Sequence, residues 1–163
     1  VDILMILVLL GTQDKPFERI LKAVAKQIDK GNIKEKVVAQ IGCTSFEHKK
    51  IKTFDFMPKE ELHKLMDKAR LIITHGGVGT ITECISKGKK VIVVPRLKKY
   101  AEHTNDHQLQ ITKEFAMKDY VLPLYDTKNL SKVLEKVKSF KPVKYESNSE
   151  NFKNKMIEYI NNI

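Results

Sequence analysis

The residues best suited to chemistry run from 74 to 83: Thr74-His75-Gly76-Gly77-Val78-Gly79-Thr80-Ile81-Thr82-Glu83. The apolar run Leu71-Ile72-Ile73 enters this stretch, and the helical spacing of Ile81, Cys84 and Ile85 leaves it. A buried strand, a glycine turn and a helix in that order make a corner able to hold phosphate. Gly76, Gly77 and Gly79 carry no Cβ and are free to take positive φ, so backbone can approach a ligand closely. A helix opening near Val78 aims free N–H groups and a partial positive end at the same spot. Thr80 adds a hydroxyl donor, and His75 stands on the lip with a group able to donate to an anion. One turn further, Glu83 offers a carboxylate for the vicinal hydroxyls of a ribose. The stretch reads as a pocket for a nucleotide diphosphate. A tight strand-to-helix connection without a ligand remains the alternative, because a glycine turn alone has little specificity.

Two common phosphate motifs are excluded. The spacing is not G-x-G-x-x-G, and the acidic residue lies in the first helix rather than about 20 residues on, which argues against NAD. No Gly-Lys-Ser/Thr follows, so the turn is no P-loop.

These residues sit in a chain of 163, long enough for one domain with a substantial core. Hydrophobic residues make up 42% and charged ones 31%, as in soluble globular proteins. The net charge of +10 makes nucleic acid or an anionic membrane surface conceivable partners. The lysines are spread along solvated helical positions without interleaved aromatics, so no nucleic-acid partner is expected. Two cysteines, Cys43 and Cys84, read as small buried residues in a reducing compartment. No His/Cys/Asp/Glu spacing suggests a metal site. No segment approaches the roughly 18 apolar residues of a membrane span. The apolar opening lacks a basic flank and a cleavage site, so it reads as a strand rather than a signal peptide.

The elements that must position the glycine corner follow in order. Strands are expected at Ile3 to Leu10, Val37 to Ile41, Ile51 to Phe56, Leu71 to Ile73, Val91 to Val94 and Tyr120 to Leu124. Helices are expected from Pro16 to Ile28, from Pro58 to Ala69, from about Val78 to Gly88, from about Asp106 to Phe115 and from about Lys128 to Lys138. A last amphipathic helix, 151–160, carries Phe152, Met156, Ile157 and Ile160. His63 reads as a surface or half-buried residue of the second helix. Strand–helix alternation implies an α/β fold, a parallel sheet with right-handed crossovers and helices on both faces. The loop Tyr100 to Gln108 crowds hydrogen-bonding side chains beyond a strand's carboxyl end, where such sheets place ligands. Thr104 or Asn105 could equally be an ordinary helix cap.

In order along the chain, Met5 to Thr12 with Pro16-Phe17, Gln40-Ile41-Gly42, His75 to Thr80, Glu83, Lys89-Lys90, Val94-Pro95-Arg96 and Glu102-His103 with Asn105, His107 and Gln108 form a recognisable set. Over about residues 5 to 125 it resembles the catalytic subunits of split glycosyltransferases. These are the PssE-like capsular polysaccharide enzymes and the eukaryotic subunit that adds the second GlcNAc to a dolichol-linked precursor. The family is similar to the C-terminal half of MurG, the donor half of a GT-B glycosyltransferase with a Rossmann-like sheet.

The resemblance implies a UDP-sugar donor. By it, Gly76, Gly77, Gly79 and Thr80 hold the diphosphate with His75 nearby, and Glu83 binds the ribose. The backbone at Phe56-Met57 faces uracil, and Gly11-Thr12 form the cleft floor. Asn105, Asp106, His107 and Gln108 lie near the donor sugar or diphosphate. Asp106 stands where bacterial members carry a second asparagine, which bears on sugar preference. His75, Glu102 and His103 are the catalytic candidates. Fixed donors aimed at the leaving phosphate would serve without a metal, and no cofactor is expected. An inverting transfer also needs a general base.

The acceptor half of such enzymes has no counterpart here. The resemblance therefore implies a membrane-associated partner subunit bringing a lipid-linked acceptor, with the chain cytoplasmic and recruited to the cytosolic membrane face. GlcNAc, glucose and galactose remain open as the sugar. A non-catalytic UDP-sugar-binding module that activates another transferase also remains open. The organisation expected is a nucleotide-binding domain over 1–145 and a C-terminal helix over 146–163 that docks the partner or packs on its own domain. The family pattern begins at Met5, so Val1 to Leu4 are candidate leader or appended residues.

Overall fold

A computed structural model describes residues 4–146 and 150–162. Val1 to Ile3 of the suggested leader, and the stretch beside the expected 145/146 boundary, lie outside the described residues.

Six strands form one parallel sheet: β1 (Met5–Leu9), β2 (Lys36–Gln40), β3 (Ile51–Phe54), β4 (Ala69–His75), β5 (Lys90–Val94) and β6 (Leu122–Pro123), in the spatial order β3-β2-β1-β4-β5-β6. Near-continuous apolar strands demand cover on both faces, and among the described residues six α-helices provide it. They are α1 (Glu18–Asp29), α2 (Lys59–Lys68), α3 (Val78–Ser86), α4 (His107–Met117), α5 (Leu130–Ser139) and α6 (Glu150–Asn161). The twofold alternation of β1 divides the core. Ile6, Val8 and Leu10 pack with Ile20 and Val24 of α1 and Val133 and Val137 of α5. Met5, Leu7 and Leu9 pack with Met66 of α2, Ile81 and Ile85 of α3, Phe115 of α4 and Met156 of α6.

Strand order reverses between β1 and β4, and the crevice beyond their carboxyl ends is where such sheets take ligands. Those ends are Gly11-Thr12 and His75-Gly76, the residues singled out above.

Some expectations need correction. β6 shrinks to two residues at the sheet edge, where Pro123 lacks the N–H a longer ladder needs. β3 stops at Phe54, leaving Phe56 exposed. Cys43 is exposed, not buried. Cys84 is buried as expected, and burial pushes its thiol up to about 12. The last helix packs on its own domain through Met156 and through Phe152, whose ring meets Phe115 edge-on at 5.2 Å. Ile157 and Tyr159 of the same helix stay exposed. Among the described residues, no helix is long and apolar enough to cross a membrane.

Candidate functional site

The site is built around the ring of His75, the last residue of β4. Gly11, after β1, and Gly77, before α3, close on it. A Cβ at Gly11 would stand 2.6 Å from His75 Nε2, and one at Gly77 would stand 2.3 Å from His75 Cε1. Gly11 also has φ +82°, in the region glycine favours. The other glycines correct the sequence reading: none of Gly76, Gly77 and Gly79 takes positive φ. Gly76 is required for space, since its Cβ would meet Gln108 at 2.9 Å. A Cβ on Gly79 would meet nothing within 4 Å, and this residue opens to solvent.

Gln108 settles the protonation of His75. Its Oε1 accepts from Gly76 N–H at 2.9 Å and Arg96 N–H at 3.0 Å. Its Nε2 therefore faces His75 Nδ1, at 3.2 Å, as a donor. That leaves the imidazole proton on Nε2, which points to Thr80 Oγ1 at 3.4 Å. His75 is buried at 7% exposure rather than standing on the lip. Burial, reinforced by the Arg96 guanidinium, holds it down at about 3. It can only act as a neutral N–H donor. Gln108, expected beside the sugar, is 5% exposed and holds this scaffold together.

Acid stability should register this. The unfolded imidazole titrates near 6.5, so the unfolded chain binds the extra proton between that pH and about 3. The contribution of neutral His75 is complete above pH 6.5 and is lost as pH falls through this window. Each unit removes up to about 1.4 kcal/mol. Denaturant unfolding from pH 7 to 4 should show wild type losing stability more steeply than His75→Gln. Parallel curves would mean that the ring is not buried neutral.

The first turn of α3 has no side-chain cap at Gly77, so its N–H groups face the crevice without a protein acceptor side chain. Gly11, Thr12, Met57 and Thr80 line a cavity of about 120 Å³ with Gln40 and Phe56. Gly79 and Glu83 line a neighbouring one of about 320 Å³. Glu83 pairs with Lys59 at 3.2 Å and has His63 3.7 Å away. The α4 loop residues are brought to the same sheet end but are largely engaged with one another. Asn105 Oδ1 accepts from His107 N–H at 3.0 Å in the turn before α4, whose N-cap is Asp106 rather than Thr104 or Asn105 and has no side-chain cap bond. Asp106 Oδ1 accepts from Lys98 N–H at 2.9 Å. His103 Nδ1 accepts from Asn105 N–H at 3.3 Å, and burial with nearby Arg96 lowers its pKa.

Glu102 is 3% exposed, its carboxylate forked by Arg19 at 2.8 and 3.0 Å and bound by Leu97 N–H at 3.1 Å. With both oxygens engaged it anchors the loop.

Two residues gained no role from the sequence. Arg96, 1% exposed, donates to Leu10 O at 2.7 and 3.2 Å, Lys15 O at 2.8 Å and Glu102 O at 3.0 Å. Gln40 accepts from Leu10 and Gly11 N–H and donates to Gly11 O and Asp55 O. Together they tie the three loops of the crevice. The one signal was their polar character at the ends of apolar strands.

The family described as Glycosyltransferase family 28 C-terminal domain matches residues 5–163. The chain belongs to this family. The chain is also similar to UDP-N-acetylglucosamine transferase subunit ALG13 of Candida albicans, at 29% identity over 89 residues. That match covers 55% of this chain and 29% of the relative's length. Solved structures share the fold. The solution structure of ALG13 superposes with a TM-score of 0.61 at 18% identity, over 91% of this chain and 94% of that one. The glycotransferase of kitacinnamycin gives 0.63 at 16% identity, over 95% of this chain and 38% of that one. Acinetobacter baumannii MurG gives 0.54 at 17% identity, over 81% and 40%. The fold is thus the Rossmann-like C-terminal half of a GT-B enzyme, as the motifs implied.

Proposed function

We propose that the chain is the donor-binding catalytic subunit of an inverting glycosyltransferase. It moves GlcNAc, glucose or galactose from a UDP-sugar to a lipid-linked acceptor, together with a membrane-associated partner subunit. One observation carries this reading: the uncapped start of α3 opens beside Gly79, next to a buried neutral N–H donor, at the reversal of strand order. A departing UDP concentrates negative charge on its β-phosphate, and donors fixed there favour the transition state over the bound ground state. The α3 N–H groups, Thr80 and His75 Nε2–H supply them, in place of a metal ion.

Thr12 and the Phe56-Met57 backbone flank the base, Glu83 takes the ribose, and Asn105, Asp106 and His107 border the sugar. His103, half-buried with its Nδ1 accepting from Asn105 N–H, holds the α4 loop in place, and the general base falls to the partner's side of the cleft. Glu102 and Gln108 position these groups. The exposed Ile157 and Tyr159 on α6 are the proposed contact with the partner. That partner places this cytoplasmic chain on the cytosolic membrane face.

Calorimetry with UDP tests the nucleotide site. Glu83→Gln should weaken UDP binding about tenfold, because a hydrogen bond to a charged acceptor is worth about 1.5 to 3 kcal/mol. Unchanged affinity would remove Glu83 from the ribose. Sugar transfer by the reconstituted pair, lost with His75→Ala, separates a catalyst from a non-catalytic donor-binding module.

A further inference from the structure

His63 is one of the buried polar groups among the described residues that the donor-site reading leaves unexplained. It lies on α2 one turn after Lys59, so both side chains project from one face of that helix. That face meets Glu83 of α3. Lys59 Nζ stands 3.2 Å from Glu83 Oε1 and His63 Nε2 stands 3.7 Å from Oε2. The first distance is an ion pair. The second is too long for a hydrogen bond. His63 Nε2 is nevertheless shut off from water and has no hydrogen-bond partner. A buried polar atom left in this state is uncommon and asks for an explanation. The cavity of about 320 Å³ alongside is lined by His63, Glu83 and Gly79, so the side chain that carries the orphaned nitrogen lies along the same space as the open glycine.

We infer that His63 Nε2 and Glu83 Oε2 form a split donor–acceptor pair that receives one ribose hydroxyl of the donor nucleotide, making His63 a determinant of ribonucleotide over deoxyribonucleotide binding. The inference rests on the donor-site reading given above. The chemistry is specific to a hydroxyl, which accepts from an imidazole N–H while donating its own proton to a carboxylate. No other common group on a nucleoside does both through one atom. The Glu83 side chain is 36% exposed and the Lys59 side chain 73% exposed, so the carboxylate can turn to admit the oxygen. Opening that surface ion pair opposes the movement little. Around Glu83 the other charged groups are Lys87, occupied by Asp67 at 2.7 Å, and Lys153 across the cavity from α6. Neither is placed by a contact to orient Oε2, which leaves that to His63.

The test is calorimetric titration of UDP, 2′-deoxy-UDP and 3′-deoxy-UDP into wild type, His63→Leu, His63→Gln and Glu83→Gln. Thermal melts confirm that each variant is folded. Wild type should prefer UDP over one deoxy form by about tenfold. His63→Leu should bind UDP five- to tenfold more weakly, with its affinity for that deoxy form unchanged. His63→Gln, which keeps a donor near the same place, should restore much of the preference. If His63→Leu keeps the full preference while Glu83→Gln loses it, the His63 inference fails and the ribose role of Glu83 stands. If wild type does not bind UDP at all, the donor-site reading itself falls.

Discussion

Gly79→Val should weaken UDP binding more than a hundredfold in a chain that folds as wild type does. The two halves of that expectation have separate causes. The new side chain meets no protein atom, because a Cβ at this position has nothing within 4 Å. Position 79 lies in the first turn of α3, where exchanging Gly for Val is neutral or mildly stabilising, by about 0.5 kcal/mol. Binding suffers because the methyl groups fill the space in front of the α3 N–H groups that the phosphate needs. A hundredfold loss corresponds to about 2.7 kcal/mol, the scale of one or two charge-assisted hydrogen bonds. Calorimetry and a thermal melt on one sample read both quantities. Wild-type affinity in the folded variant would remove the phosphate from this corner. Gly77 would be a poor substitute for this test, since its Cβ would strike His75 at 2.3 Å and confound folding with binding.

Arg96→Met should lower stability by about 3 to 5 kcal/mol, the range seen when one partner of a buried charged network is removed. Arg96 is 1% exposed and its guanidinium lies over the Phe17 ring at 4.9 Å. Burial lowers its pKa to about 10, so it remains charged at neutral pH. Its bonds run to the carbonyls of Leu10, Lys15 and Glu102. Methionine fills the volume but leaves those three oxygens in the interior without that donor. For a chain of this size the loss corresponds to a melting point lower by about 10 °C. Arg96→Lys should rescue little, because a single ammonium cannot copy the planar fork that reaches two loops at once. Urea unfolding of the three chains measures this. A lysine variant as stable as wild type would show that charge alone suffices here.

The strands were legible because buried parallel strands write themselves as apolar runs, as in Ile6 to Leu10 and Val91 to Val94. β3 ran two residues short, and β6 misled most: Tyr120 and Val121 look like strand residues, yet the pairing at this edge is limited to Leu122 and Pro123. The turn between β4 and α3 falls where the sequence placed it, but its glycines serve a need only half foreseen. Freedom from a Cβ is what Gly76 and Gly77 contribute, and their φ values are ordinary. Dihedral need and spatial need leave the same letter in a sequence.

The inward-facing roles of Gln108 and Glu102 were not legible, because a polar residue in a loop looks alike whether it points to a ligand or to its own scaffold. Arg96 was hidden for a similar reason. Its partners are backbone carbonyls near residues 10, 15 and 102, which carry no side-chain signature. The Lys59–His63–Glu83 arrangement was half visible, since Lys59 and His63 share a helical face. Their meeting with Glu83 depends on how α2 and α3 pack.

The closure of Gly11 and Gly77 over one imidazole joins three positions spread across 67 residues of chain into a single inherited unit. Drift at either glycine is forbidden while the ring is present. A descendant that exchanged the ring for something small would free both glycines at once. Across a large set of relatives, these three columns should therefore change together or not at all.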